Sequence, residues 1–231
     1  MEGLLWTSFL AGGSLVIAFS AGTLLGGWIA WKREGFWDTL LPPLFALVSA
    51  FPYFWVAMLS LSLLGFEAGW FPVRHAYAST IEPEWTFDFA LSVVSHAFLP
   101  ALTLVICSLG GWMLSMRNTM ISTLGDEAVQ YAHCRGIPSA RVAWRVAARN
   151  AIIPNFTGFG MALGFVLSGA LLTEVVFSYP GQGYLLLQAV MAQDFPLMQG
   201  IFLSITAAVL LANLIVDIGM WWVDPRTREE R

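Results

Sequence analysis

Residues 125–154 read GDEAVQYAHCRGIPSARVAWRVAARNAIIP, and they lie between two apolar stretches that are each long enough to cross a lipid bilayer. The basic residues of this stretch are Arg135, Arg141, Arg145 and Arg149. A basic segment held between two membrane spans is retained on the cytoplasmic side of the membrane. The stretch therefore predicts a membrane protein, and it also predicts the face on which a soluble partner can reach the chain.

The composition of the whole chain indicates the same class. Apolar residues make up 58% of the 231 residues and charged residues only 11%. A water-soluble domain of this length could not bury so much apolar surface. The net charge of −4 is uninformative, because the placement of charge matters more than its sum in a membrane protein. No basic run predicts nucleic-acid binding, and Cys107 and Cys134 are predicted to be free thiols.

Five stretches are long and apolar enough to cross about 30 Å of hydrocarbon. Backbone groups in lipid must be satisfied within their own segment, so each stretch is predicted to be an α-helix. Pro42, Pro43 and Pro52 predict a late start and a kink in the second span rather than a break. The fold class is therefore all-α, a polytopic transmembrane helical bundle in a single domain over residues 1–231. The predicted spans are residues 4–31, 39–66, 89–116, 154–178 and 196–223.

The positions of the basic residues predict the orientation. Only Arg74 falls on the side that also carries the acidic loop between the second and third spans, and the other ten of the eleven basic residues fall on the opposite side. That side is therefore predicted to be cytoplasmic, with the N-terminus outside and the C-terminus inside. Because five spans follow an outside N-terminus, we expect that a helix preceding Met1 is missing from this chain. The ten residues are Lys32, Arg33, Arg117, Arg135, Arg141, Arg145, Arg149, Arg226, Arg228 and Arg231.

Two short helices are predicted between the third and fourth spans. Asp126 is a residue type that suits a helix N-terminus, and residues 128–135 then form a short helix that Gly136 stops. Pro138 suits an early position of a second helix. Glycine permits a sharp turn between the two, so the segment is predicted to be a helix-turn-helix elbow.

The second of these helices is predicted to run to Ile153 and to carry a basic face. Two interpretations remain open. The helix could lie on anionic lipid with Trp144 as its anchor. The elbow could instead present the residues near Gly136 to a cytoplasmic partner. The cations on the basic face recur every four residues, at Arg141, Arg145 and Arg149.

The order of residues in the elbow resembles a known motif. Gln130-Tyr131-Ala132, three further residues and Gly136, with Ile153-Pro154 at the start of the next span, are similar to a degenerate EAA loop of the permeases of binding-protein-dependent ABC importers. The amino-acid sequence of residues 126–132, 135–137 and 149–154 is similar to that of the dipeptide, oligopeptide and nickel permease subfamily. The first two letters of the motif differ here, because Gln130 and Tyr131 occupy them.

Two further motifs follow in the order that this family shows. Residues 174–183, EVVFSYPGQG, resemble the motif at the outer end of the span, and Asp217 with Asp224-Pro225-Arg226 resembles the C-terminal ending. Members of the family usually begin with one more helix, which agrees with the expectation of a missing first helix. Three motifs in register over about 110 residues form a specific signal, whereas one alone would mean little.

The resemblance implies a transport subunit of a bacterial inner (plasma) membrane rather than an enzyme. In such importers a second permease subunit, identical or different, completes the pathway. Two cytoplasmic ATP-binding subunits drive transport with ATP and Mg²⁺, and an extracytoplasmic solute-binding protein delivers the solute. The implied substrates are peptides or nickel. The coupling loop, residues 117–153, would dock on the ATPase through Gln130, Tyr131, Ala132, Arg135, Gly136 and Ile137.

The lysine content of the chain agrees with ATP hydrolysis by a different subunit. Lys32 is the only lysine, and it lies at the end of a span, so the chain cannot contain a GxxxxGK phosphate loop. ATP must therefore be hydrolysed by a partner, and no cofactor is expected on this chain. Selectivity in such systems lies largely in the binding protein, so one permease sequence does not separate dipeptides, oligopeptides, metal chelates and small glycosides.

Ionisable residues within the spans support a rival class. Glu174 and Asp217 are the carboxylates inside predicted spans, and intramembrane charge is costly enough to indicate function. An ion-coupled secondary transporter would use such groups. Neither lies near the membrane midplane, so structural hydrogen bonding is favoured for both. His96 is predicted to be a satisfied bundle residue, with solute contact as the alternative, and neither an enzyme nor a channel signature is visible.

Residues 184–191 are predicted to form a short helix at the outer interface, after the turn sequence SYPGQG. Such a helix could gate the pathway from outside, or it could be packing that does not move.

Overall fold

The computed structural model describes residues 2–223, except the side chains of residues 164–169 and 220–223. The described residues form helices and their connections without a β-strand, which confirms the predicted all-α class. The predicted C-terminal ending Asp224-Pro225-Arg226, together with Arg228 and Arg231, lies outside the described residues.

Eight helices follow one another in residues 2–223. Their bounds are α1 Glu2–Trp31, with a π-helical turn at Ser8–Gly12; α2 Phe36–Ser49; α3 Tyr53–Glu67, π-helical over Leu61–Glu67; α4 Phe87–Leu124; α5 Glu127–Cys134; α6, made of the consecutive segments Ser139–Val142, Ala143–Ala147 (π-helical) and Ala148–Val176; α7 Gln182–Met191; and α8 Phe195–Val223.

Three of these helices are long and apolar enough to cross a membrane, namely Glu2–Trp31, Phe87–Leu124 and Phe195–Gly219. A fourth span results if α2 and α3 count as one broken span. The remaining predicted span, residues 154–178, corresponds to the end of α6. The number of about five spans therefore stays a prediction.

The prolines do not act as the sequence predicted. α2 begins at Phe36, before the predicted late start, and contains Pro42 and Pro43. The chain then breaks at Pro52, which caps α3 with an extended ψ of 138°. Proline donates no backbone hydrogen bond and disfavours helical backbone in the residue before it, so the predicted kink was wrong and the segment is broken. Pro154, predicted to mark the start of a span, lies inside the continuous α6.

The chain forms two compact units, each assembled from three separate stretches. The cap unit comprises Met1–Val16, Phe51–Cys107 and Leu163–Ala212. The elbow unit comprises Ile17–Ala50, Ser108–Ala162 and the described part of Asn213–Arg231. Thus α5 belongs to the elbow unit and α7 to the cap unit. The single domain over residues 1–231 stays a prediction.

Glycines let the helices of the elbow unit approach closely. A Cβ atom at Gly22 of α1 would lie 2.7 Å from the Cβ of Trp112 in α4, and one at Gly26 would lie 3.0 Å from the backbone nitrogen of Arg117. A Cβ atom at Gly110 of α4 would lie 2.6 Å from the carbonyl oxygen of Phe45 in α2. Because lipid is as apolar as a side chain, membrane helices associate through such backbone-close packing.

One buried amide joins three helices of the same unit. Asn155 of α6 donates through Nδ2 to Thr23 Oγ1 of α1 at 3.3 Å and to the carbonyl oxygen of Trp112 in α4 at 3.5 Å. Phe19 packs beside this point, with its ring centroid 5.2 Å from that of Trp112. Polar side chains that bond across helices stabilise membrane bundles where apolar contact alone does not drive association.

Aromatic side chains build the core of the cap unit. Tyr179 and Phe177 are its largest fully buried side chains. Trp6 lies between Tyr77, with ring centroids 6.1 Å apart, and Tyr179, with centroids 5.9 Å apart in an edge-to-face arrangement. The first turns of α1, the connection before α4 and the turn after α6 therefore share one core.

The N-terminus of α7 is capped by side chains from two other helices. Its first backbone N–H groups have no partner inside the helix. The N–H of Gln182 donates to Thr7 Oγ1 at 2.8 Å, and that of Gly183 donates to Glu174 Oε2 at 2.7 Å. Thr7 in turn donates its hydroxyl to Glu174 Oε1 at 2.6 Å. Glu174 is fully buried, so this capping cluster, Thr7, Glu174, Gln182 and Gly183, ties α1 and α6 to α7.

Replacing Glu174 by Gln should loosen the start of α7, because an amide NH₂ would then face one of the two donors. An unsatisfied buried N–H costs about 1–3 kcal/mol. We expect hydrogen exchange of residues 182–185 to accelerate by roughly tenfold or more, since 1.4 kcal/mol is tenfold. Thr7→Val should act similarly, whereas Thr7→Ser keeps the hydroxyl and serves as the control. Unchanged exchange in both Glu174→Gln and Thr7→Val would contradict the capping assignment.

Candidate functional site

The candidate site is the elbow, residues 126–142, in which α5 ends at a tight turn. Asp126 is the N-cap of α5, as the sequence predicted. At the other end Gly136 has φ +72°, a left-handed conformation that glycine adopts without strain. The N–H of Ile137 donates to the carbonyl oxygen of Ala132 at 3.3 Å, and that of Gly136 to the carbonyl oxygen of His133 at 2.9 Å. This pair of bonds is the Schellman arrangement, which closes a helix and reverses the chain.

One face of α5 is seated on its own unit. The side chains of Val129 and Ala132 are only 2% and 7% exposed. They belong to one buried cluster with Met116 and Met120 of α4 and with small residues of α6. These small residues let the elbow approach α6 closely. They are Ala143, Ala147, Ala148 and Ala151.

The other face of the elbow is exposed. Tyr131 is 69% exposed, and Gln130, Arg135 and Gly136 are exposed with it. A Cβ atom at Gly136 would meet nothing within 4 Å. The exposed face thus offers one aromatic side chain, one cation and a bare stretch of backbone at the turn, which together can fit a groove on a protein partner.

Two of the six predicted docking residues, Ala132 and Ile137, do not lie on the exposed face. Ala132 packs into the buried cluster, and Ile137 is half-buried against it. Ala132 therefore holds α5 against its own unit and is not part of the exposed face. Its pairing with Val129, three residues earlier on the same face, could have indicated this from sequence.

The basic face of α6 is exposed as the four-residue spacing indicated. Arg141, Arg145 and Arg149 are all exposed, and Val142, on the opposite face, is fully buried. Trp144 is 37% exposed and lies over Gly27 of α1. The predicted short second helix does not end at Ile153, because α6 continues through it to Val176. The basic face and most of the predicted span, residues 154–178, are thus parts of one continuous helix.

The carboxylates and the histidine that the rival class would use have different surroundings. Both oxygens of Glu174 accept hydrogen bonds within the capping cluster, so this side chain has a structural partner on each side. His96 Nδ1 donates to the carbonyl oxygen of Ser92 at 2.8 Å in its own helix. Asp217 belongs to the other unit and is exposed on α8.

Two polar residues were missed by the sequence reasoning. Thr7 completes the cap of α7, and Asp38 forms an ion pair with Arg117. The contacts that matter here are distant in sequence, since Glu174 lies 167 residues from Thr7 and Arg117 lies 79 residues from Asp38. A hydroxyl inside a span and an acid at a helix start were the only available signals.

A comparison with protein families finds one family that covers the elbow. The model of the family described as binding-protein-dependent transport system inner membrane component matches residues 22–229. The match includes the whole elbow and the motif at residues 174–183.

Curated proteins of similar sequence are permeases. The di/tripeptide transport system permease protein DppB of Pseudomonas aeruginosa is 33% identical over 231 residues, covering 94% of this chain and 69% of that protein. The probable D,D-dipeptide transport system permease protein DdpB of Escherichia coli K12 is 32% identical, covering 94% and 68%. The dipeptide transport system permease protein DppB of the same strain is 30% identical, covering 94% and 69%. The chain therefore belongs to the family of binding-protein-dependent transport system inner membrane components.

Proposed function

We propose that this chain is a transmembrane pathway subunit of an ATP-driven importer that takes up small peptides. The observation that carries the proposal is the elbow, which is anchored on one face and exposed on the other in a permease-family chain. The similar proteins named above are permeases of dipeptide and di/tripeptide systems. Nickel, which the resemblance also implied, has no such support, so peptides are the proposed cargo.

The elbow is proposed to dock on a cytoplasmic ATPase. A segment that transmits force needs a firm seat and an accessible face. Val129 and Ala132 provide the seat, and Tyr131 and Gly136 provide the face. Closure of the ATPase pair on ATP would then displace the elbow and shift the helices between two arrangements that open to opposite sides of the membrane.

The proposed partners are those that the family resemblance implies. ATP and Mg²⁺ would be used by two separate ATP-binding subunits, which agrees with the single lysine at the end of α1 leaving no place for a phosphate loop. A second permease subunit would complete the pathway, and an extracytoplasmic binding protein would deliver the peptide. The proposed orientation places the elbow and the C-terminus in the cytoplasm and the N-terminus outside, as the arginine positions favour.

Gly136 offers a matched pair of variants that separates docking from folding. Gly136→Ala and Gly136→Leu both carry the strain of a positive φ, about 1–2 kcal/mol, and neither Cβ meets another atom of the chain. We expect the Ala variant to keep most ATPase association and the Leu variant to lose it, because only the larger side chain blocks a partner. Co-isolation of ATPase activity with the tagged chain measures this. Equal association in both variants, at equal membrane levels, would count against docking at the turn.

The energy source distinguishes the proposal from ion-coupled transport. The assay measures uptake of a radiolabelled mixture of di- and tripeptides into proteoliposomes that contain the whole complex with its binding protein. Uptake should require ATP on the side of the membrane where the ATP-binding subunits lie. It should persist when a protonophore collapses the proton gradient, since both oxygens of Glu174 are engaged in capping. Uptake that stops with the gradient while ATP is constant would reverse this conclusion.

A further inference from the structure

Asp38 and Arg117 form an ion pair that joins α2 to α4 within the elbow unit. Arg117 Nε donates to Asp38 Oδ1 at 2.6 Å, and the two side chains are 22% and 11% exposed. It is the one ion pair formed within the described part of the chain. Charged hydrogen bonds of this length are stronger than neutral ones, and partial burial shields this pair from solvent screening.

The second oxygen of Asp38 fixes the turn before α2. The backbone N–H of Glu34 donates to Asp38 Oδ2 at 3.1 Å, and Glu34 has φ +66°. Asp38 lies in the first turn of α2, where a carboxylate also interacts favourably with the helix dipole. The carboxylate thus holds the start of α2 to its own turn and to α4 at once.

A second contact between the same helices lies two turns along α4. Gly110 packs against the backbone of Phe45 and against Ser49, near the end of α2. Residues seven apart lie on one face of a helix, so Gly110 and Arg117 hold α2 at its two ends. A helix held at both ends, once by close backbone packing and once by an ion pair, moves with the helix that holds it.

Residues next to Arg117 in α4 also contact the buried face of α5. Met116, next to Arg117 in sequence, and Met120 pack in the cluster that buries Val129 and Ala132. Arg117 also lies against Gly26 of α1. The ion pair and the elbow seat are therefore formed by adjacent residues of one helix.

We propose that Asp38 and Arg117 are the positioning pair that carries a displacement of the elbow from α4 to α2. The inference rests on the proposed function, because it assumes that the elbow receives the motion. Without the pair, α4 would still bind the elbow, but the start of α2 would no longer follow it. ATP would then be hydrolysed with less transport for each ATP consumed.

The test measures transported peptide for each ATP hydrolysed, using the whole complex in proteoliposomes and a radiolabelled mixture of di- and tripeptides. Asp38→Asn and Arg117→Gln should each lower this ratio by roughly 2- to 30-fold, the range of coupling changes caused by residues that contact neither ligand. ATPase association should be unchanged. The charge exchange, Asp38→Arg with Arg117→Asp, should recover part of the ratio, because it restores the ion pair but not the bond that Asp38 accepts from Glu34. Glu34→Gln is the matched control, since only the backbone of Glu34 takes part.

Several outcomes would overturn the inference. One such outcome is a normal ratio of transported peptide to ATP hydrolysed in both single variants. Another is a ratio in the charge-exchanged double variant that is no higher than in either single variant. If the single variants fail to reach the membrane, Arg117→Met replaces them, because it keeps an unbranched apolar stem and removes every donor to Asp38. A normal ratio in that variant would also overturn the inference. Failure of the proposed function is distinguishable, because Gly136→Leu would then also leave ATPase association and the ratio intact.

Discussion

The seating of α5 on the small-residue surface of the elbow unit is the contact on which the rest of the account depends. Val129 and Ala132 are buried there against α4 and against the alanines of α6. Burial of these apolar side chains stabilises the contact, and the alanines of α6 allow α5 a close van der Waals approach. A larger residue at Ala132 or Ala147 would lift the elbow from its seat and leave the exposed face without firm support.

The same physical rule organises the whole elbow unit. Gly22 and Gly26 bring α1 onto α4, Gly110 brings α4 onto α2, and Asn155 bonds to two helices from α6. These contacts are backbone-close or hydrogen-bonded, so the helices have little freedom to slide past one another. The unit is suited to move as one body, and it includes α6 from the basic face to Ala162.

Much of this could be predicted from the sequence. Hydropathy gave the helical class, and Asp126 and Gly136 gave both ends of α5, because caps and left-handed turns have strong residue preferences. Helix packing could not be predicted in the same way. The role of Glu174 depends on Thr7, which lies 167 residues away, and local patterns carry no information about such pairs. Pro52 was misjudged because proline permits either a kink or a break, and the surrounding structure decides which occurs.

The central claim is that the exposed face of the elbow contacts an ATPase, and the natural thiols allow a direct measurement. Cys134 is exposed in α5, and Cys107 is buried and serves as an internal control. Everted membrane vesicles that contain the complex would be treated with a membrane-impermeant maleimide, before and after urea removes the peripheral subunits. We expect Cys134 to be protected in the complete complex and labelled rapidly once the ATPase is removed. Equal labelling of Cys134 in both preparations would contradict it.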